Sequence, residues 1–127
     1  MKNLLFLFGC LWLGSCSLDS ENTCNATAVV YATQVTGPKT AQVNTSTKFT
    51  VYFEAENGCG KFDSFVEASL GDTVKVAPKV SYEGCTCTQT KLPIQADYTF
   101  SATKPGTYYL KFLRDATTFI VDTLVVR

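Results

Sequence analysis

Lys48-Phe49-Thr50-Val51-Tyr52-Phe53-Glu54-Ala55-Glu56 is the stretch whose reading decides the fold. Phe49, Val51, Phe53 and Ala55 fall at every second position, with Thr50, Tyr52, Glu54 and Glu56 between them. Successive side chains of a strand point to opposite faces, so this pattern puts one face on a core and the other in water. The same period recurs outward from it. Ala28-Val29-Val30-Tyr31-Ala32 begins a first strand that ends near Gly37-Pro38. After Asn57-Gly58-Cys59-Gly60 comes a third, less regular run over 62–70, closed by Gly71-Asp72. The fourth puts Val74, Val76, Val80 and Tyr82 inward, and its Pro78, which cannot donate to a ladder, predicts a sheet edge or a bulge. A fifth strand begins around Cys85 and resumes after Pro93 with Ile94, Ala96, Tyr98 and Phe100 inward. Pro105-Gly106 turns the chain into a sixth, with Tyr108, Leu110 and Phe112 inward. Arg114-Asp115-Ala116 leads to a seventh over 118–126, apolar on both faces except at Asp122 and Thr123. Seven short strands without helical periodicity predict an all-β, antiparallel sandwich over residues 26–127.

The amino terminus reads differently. Lys2 precedes an apolar run from Leu4 to Leu13, and Leu13-Gly14-Ser15-Cys16 then sets small residues before a cysteine. Charge, apolar core and small-residue cleavage site in that order make an export signal, too short for the ~20 residues of a membrane-spanning helix. Leu13-Gly14-Ser15-Cys16 resembles the lipobox of bacterial lipoproteins. That resemblance implies a signal peptide over 1–15, cleavage before Cys16, and acyl chains such as palmitate on Cys16 as a membrane anchor. Residues 16–25 then form the lipidated cysteine and an acidic tether. Asp19 and Glu21 just after the cysteine resemble the surface-export signals of Bacteroidetes-type lipoproteins. The implied address is the cell outer membrane, on its periplasmic or its surface face.

Composition bounds the chemistry. The chain of 127 residues carries 11 basic and 11 acidic side chains and no His. Losing Lys2 with the signal leaves a mature charge of about −1, which argues against nucleic acid, whose binding needs a cationic face. That balance gives no reason to expect electrostatic adhesion to anionic lipid either. Lack of His removes the usual general base near neutral pH and the commonest metal ligand. No cofactor is implied.

Cys24, Cys59, Cys85 and Cys87 remain beyond the anchor, an even number in an exported domain, and read as two disulfides. Because each tight turn reverses the chain, the start of strand one and the turns after strands two, four and six share one end. All four cysteines therefore converge there. A Cys85–Cys87 ring is strained, which leaves Cys59–Cys85 with Cys24–Cys87, or Cys59–Cys87 with Cys24–Cys85. Arg114-Asp115 is expected at the same end, nearest the membrane. The opposite end presents the loops around 37–46, 70–73 and 103–107, so Thr40, Gln42 and Lys104 are candidate partner-binding residues.

Pro105-Gly106-Thr107-Tyr108-Tyr109-Leu110 resembles the start of the sixth strand in immunoglobulin-like domains, where a tyrosine hydroxyl clasps the preceding loop. The resemblance implies an Ig-like or fibronectin-like β-sandwich, with Tyr108 in the tyrosine place. Leu110 and Phe53 stand where antibody-type domains carry the cysteines of their inter-sheet disulfide. Other patterns are weaker. Glu54 and Glu56 imitate a catalytic carboxylate pair but suit any solvated strand face. Tyr52 and Tyr109 are both outward by parity and suggest an aromatic platform for sugars. No Gly-x-Ser-x-Gly elbow or phosphate-binding glycine loop occurs. The expectation is a non-enzymatic envelope lipoprotein, a binding or structural module with a protein or glycan partner. Its alternatives are a small Ig-like protease inhibitor, from the similarity of 105–110 to a chagasin strand, and a thiol-based metal or redox protein.

Overall fold

A computed structural model describes residues 24–127; the signal sequence, Cys16 and most of the tether lie outside them. The described chain is all β, with nine strands in two sheets. In chain order they are β1 (Asn25–Val29), β2 (Ala32–Thr36), β3 (Thr40–Ala41), β4 (Thr47–Ala55), β5 (Gly60–Leu70), β6 (Thr73–Glu83), β7 (Leu92–Phe100), β8 (Gly106–Leu113) and β9 (Phe119–Val126). The small sheet runs β2-β4-β7. The large sheet runs β1-β6-β8-β9-β3, with β5 also paired to β6.

Nine strands replace the expected seven because the first one changes sheets. β1 pairs with β6 in the large sheet and β2 with β4 in the small one. Val30, whose N–H donates to the Pro78 carbonyl at 2.9 Å, lies at the crossing. The short β3 is the other addition. The antiparallel expectation is corrected too: β6 with β8, and β3 with β9, run parallel. A strand of the small sheet, β7, links β6 to β8, so the chain returns to the large sheet in its original direction. The expected fifth strand starts at Leu92, and 84–91 form a loop.

Pro78 lies in an interior strand, against expectation. β5 covers one side of β6 from Thr73 to Tyr82, while the other side is shared by β8 at Thr73–Val76 and β1 at Lys79–Glu83. The Pro78 backbone faces the seam between those two partners, where no ladder donor is required.

Alternation fixes the inner faces as the sequence predicts. Phe49, Val51, Phe53 and Ala55 of β4 are buried, as are Val74, Val76 and Val80 of β6 and Leu110 and Phe112 of β8. The irregularity of 62–70 has a physical cause. A bulge between Phe62 and Ser64 shifts the register of β5, so Phe62 opposes Val80 and Phe65 opposes Pro78. Both rings thereby face the core despite unlike parity. They extend an aromatic chain from Phe53 through Phe62, Phe65 and Tyr98 to Phe112, with centroids 4.9–5.9 Å apart. Gly71, at φ 63°, makes the two-residue β5–β6 turn in the left-handed conformation that glycine adopts without steric cost.

Candidate functional site

Three regions carry distinctive chemistry: the two ends of the sandwich and the outer face of the large sheet. At the first end the four cysteines converge, and the structure pairs Cys24 with Cys85 and Cys59 with Cys87, with Cα atoms 4.9 and 5.5 Å apart. This is one of the two pairings the sequence left open. Backbone bonds sew the same loops together: Gly84 N–H donates to the Cys24 carbonyl, and Gly58 N–H to the Thr88 carbonyl at 3.0 Å. Gly58 permits that approach, since a Cβ there would meet the Thr88 hydroxyl at 2.0 Å. The Glu56 N–H donates to the Tyr82 hydroxyl at 3.0 Å and fixes the start of the turn.

Arg114 and Asp115 do not reach this end. Since β8 stops beside Val76 and β1 takes over from Lys79, the 114–118 turn stands at the waist of the large sheet. Asp115 accepts bonds from the Thr118 hydroxyl and the Thr117 and Thr118 N–H groups, which lower its pKa to about 2.

Thr40, Gln42 and Lys104 are exposed at the opposite end. The Asn44 N–H donates to the Ala102 carbonyl at 2.7 Å, which joins the loop after β3 to the loop before β8. Asn44 itself sits at φ 58°, a conformation that asparagine tolerates better than most residues. Tyr108 donates its hydroxyl to the Lys104 carbonyl at 2.8 Å, the clasp expected from the sequence. Lys39 forms an ion pair with the buried Asp122, a contact the strand pattern missed. The signal was present: Asp122 shares the inward parity of Ile120, Leu124 and Val126, so it needs a cation.

The aromatic platform does not form. Tyr52 belongs to β4 in the small sheet and Tyr109 to β8 in the large one, so they point from opposite faces. Glu54 and Glu56 are both exposed at the small-sheet side. Glu67 and Tyr98 make a better defined polar pair. Burial, reinforced by a hydrogen bond to the Glu67 carboxylate, holds the Tyr98 phenol above its ordinary range. Among the described residues no three acidic or thiol groups cluster as metal ligands.

The outer face of the large sheet is the third region. Lys75 of β6 and Lys111 of β8 are direct cross-strand neighbours. Ala68 flanks Lys75 on β5, and Val121 flanks Lys111 on β9. Beside that row Val66, Glu67, Ala77, Leu113 and Phe119 line a groove of about 220 Å³, and the Lys75 ammonium lies 5.5 Å from the Phe119 ring centroid.

The family model of the ORF11 beta-sandwich domain matches residues 49–121, from Phe49 in β4 to Val121 in β9. The match covers more than half of the chain. This protein belongs to the ORF11 beta-sandwich domain family. Its family segment contains the Cys59–Cys87 bridge, the Lys75–Lys111 neighbours and Lys104, while Cys24, Thr40 and Gln42 precede it. No curated protein and no solved structure matches the chain.

Proposed function

We propose that this ORF11 beta-sandwich protein is a non-enzymatic lipoprotein of the cell outer membrane, acylated on Cys16, whose domain serves as a binding or structural module. Leu13-Gly14-Ser15-Cys16, followed by a polar tether that runs into a disulfide-bonded Cys24, is the observation that carries the reading. The tether of residues 17–23 spans at most ~25 Å. The disulfide then holds the point where the chain enters the sandwich at one end, close to the membrane.

The Ig-like type is part of this proposal. The Tyr108 clasp on the Lys104 carbonyl supports it. The large sheet departs from the immunoglobulin arrangement, in which the sixth strand lies beside the third. Here β8 lies beside β6, and β5 is outermost. The loops with Thr40, Gln42 and Lys104, remote from the tether, are the proposed partner-facing surface.

Labelled palmitate tests the anchor: the native protein is expected to take up label and the Cys16→Ser variant none. Label in the variant, or none in the native protein, overturns the reading. For the partner surface, replacing Thr40, Gln42 and Lys104 together by Ala is expected to weaken capture of an envelope partner more than replacing Arg114 and Asp115. Equal effects discard the assignment.

A further inference from the structure

We infer that the outer face of the large sheet is a membrane-contact surface, which the protein lays against anionic phospholipid beside its own anchor. The inference rests on the lipoprotein reading for its location and on the sheet alone for its chemistry. Five side chains of this face are large, apolar and exposed: Val29 at 47%, Val66 at 46%, Leu70 at 86%, Tyr109 at 39% and Val121 at 53%. Large apolar side chains left exposed together on one sheet face, here on either side of the Lys75–Lys111 row, mark a place where something else is bound. The small sheet gives the contrast, because its outer face presents Gln34, Tyr52 and Gln95 in one row and Thr36, Thr50 and Asp97 in the next.

Charge decides what the partner is. Lys75 and Lys111 sit side by side in register, and like charges opposite one another destabilise a sheet. Neither has a carboxylate within ion-pair distance among the described residues; the ion pairs found there are Lys39–Asp122 and Lys79–Asp63. An anion between the two ammonium groups relieves that repulsion. Apolar groups flank the pair on both sides, Val66, Leu113 and Phe119 on one and Leu70 and Tyr109 on the other, with Thr73 and Thr123 beside Tyr109 and Glu67 in the groove lining. A phosphate layer backed by hydrocarbon matches this arrangement, and lysine stems and tyrosine rings suit such an interface.

Connectivity favours the same occupant. β1 is a strand of the large sheet and begins at Asn25, directly after the tether. An anchor within ~25 Å of Cys24 therefore keeps this face within reach of the bilayer. Laid down on this face, the domain leaves the small sheet and the loops of Thr40, Gln42 and Lys104 open to partners.

The sole tryptophan, Trp12, belongs to the signal, so a new one reports its own position. Full-length Val121→Trp and Leu70→Trp proteins, processed in cells and purified, are reconstituted in vesicles of brominated phosphatidylethanolamine and phosphatidylglycerol. Thr99→Trp, on the outer face of the small sheet, is the control. Quenching at 121 and 70 but not at 99 is the expected result. Adding Lys75→Gln and Lys111→Gln is expected to lower the ratio of surface-bound to released domain by about 30-fold, from about 1 kcal/mol per lysine near an anionic surface. Quenching that is equal at 121 and 99, or absent at 121 and 70, overturns the inference. So does shielding of position 121 from acrylamide that rises with protein concentration without lipid, which would make a second copy the occupant. Intact mass reads acylation separately: an unacylated protein that still shows the quenching pattern sinks the anchor and keeps the surface.

Discussion

The two ends of this sandwich are closed by different chemistry. At the tether end, Cys24–Cys85 and Cys59–Cys87 tie together residue 24, the 56–60 turn and the irregular 84–91 loop. At the far end, the Lys39–Asp122 ion pair, the Asn44–Ala102 backbone bond and the Tyr108–Lys104 clasp do the equivalent work without a covalent bond. Covalent closure acts chiefly by restricting the unfolded chain and needs little regular structure around it. Polar closure acts only while its donors and acceptors are held in place by neighbouring strands. The difference teaches that the tether end can carry a long loop, whereas the far end depends on strands β3, β8 and β9.

Removing covalent bonds is expected to have the largest effect. The bridges span 61 and 28 residues, so Cys24→Ser with Cys85→Ser is expected to lose about 4 kcal/mol, and Cys59→Ser with Cys87→Ser slightly less. Urea unfolding measures both. Loss of less than about 1 kcal/mol from either pair would erase the contrast between the ends.

A smaller effect is expected from Lys39→Ala, which strips a buried carboxylate of its cation. A charged hydrogen bond of this kind contributes about 2 kcal/mol. Hydrogen exchange should quicken in β3 and β9 and stay slow beside the disulfides. Uniform quickening would mean that the ends are not separate units.

Tyr108→Phe removes one exposed clasp and is expected to cost about 1 kcal/mol or less. Unchanged stability together with an unchanged 101–105 loop by NMR would remove the clasp from the far-end account.

The waist gives the smallest effect, a pH dependence. Asp115 titrates at about 2 when folded, below the ordinary 3.8, so its contribution is complete above 3.8 and is lost as pH falls through about 2. Its carboxyl resonance should therefore titrate near 2 in folded protein. A midpoint near 3.8 would show that its turn bonds do not persist in solution.

Much of the fold was legible locally. The inner residues of β4, β6, β7 and β8 followed from alternation, and the convergence of the cysteines followed from reversing strand direction. The Asp63 bulge was legible only as a lapse in the pattern, because a shifted register brings Phe62 and Phe65 to one face. The split of the first strand had no local signal. Ala28 to Thr36 reads as one strand, and only the positions of β4 and β6 require it to cross between sheets.

What the chain settled alone was which side chains face inward, since a period of two is a property of the backbone itself. The sharing of partners was settled by the folded molecule. Tyr52 and Tyr109 part company, Cys24 meets Cys85, and Lys75 comes to lie beside Lys111 because strands distant in sequence pair with one another. A net charge near zero concealed that last juxtaposition, because composition adds charges without regard to place, while the sheet sets two of them side by side on one face.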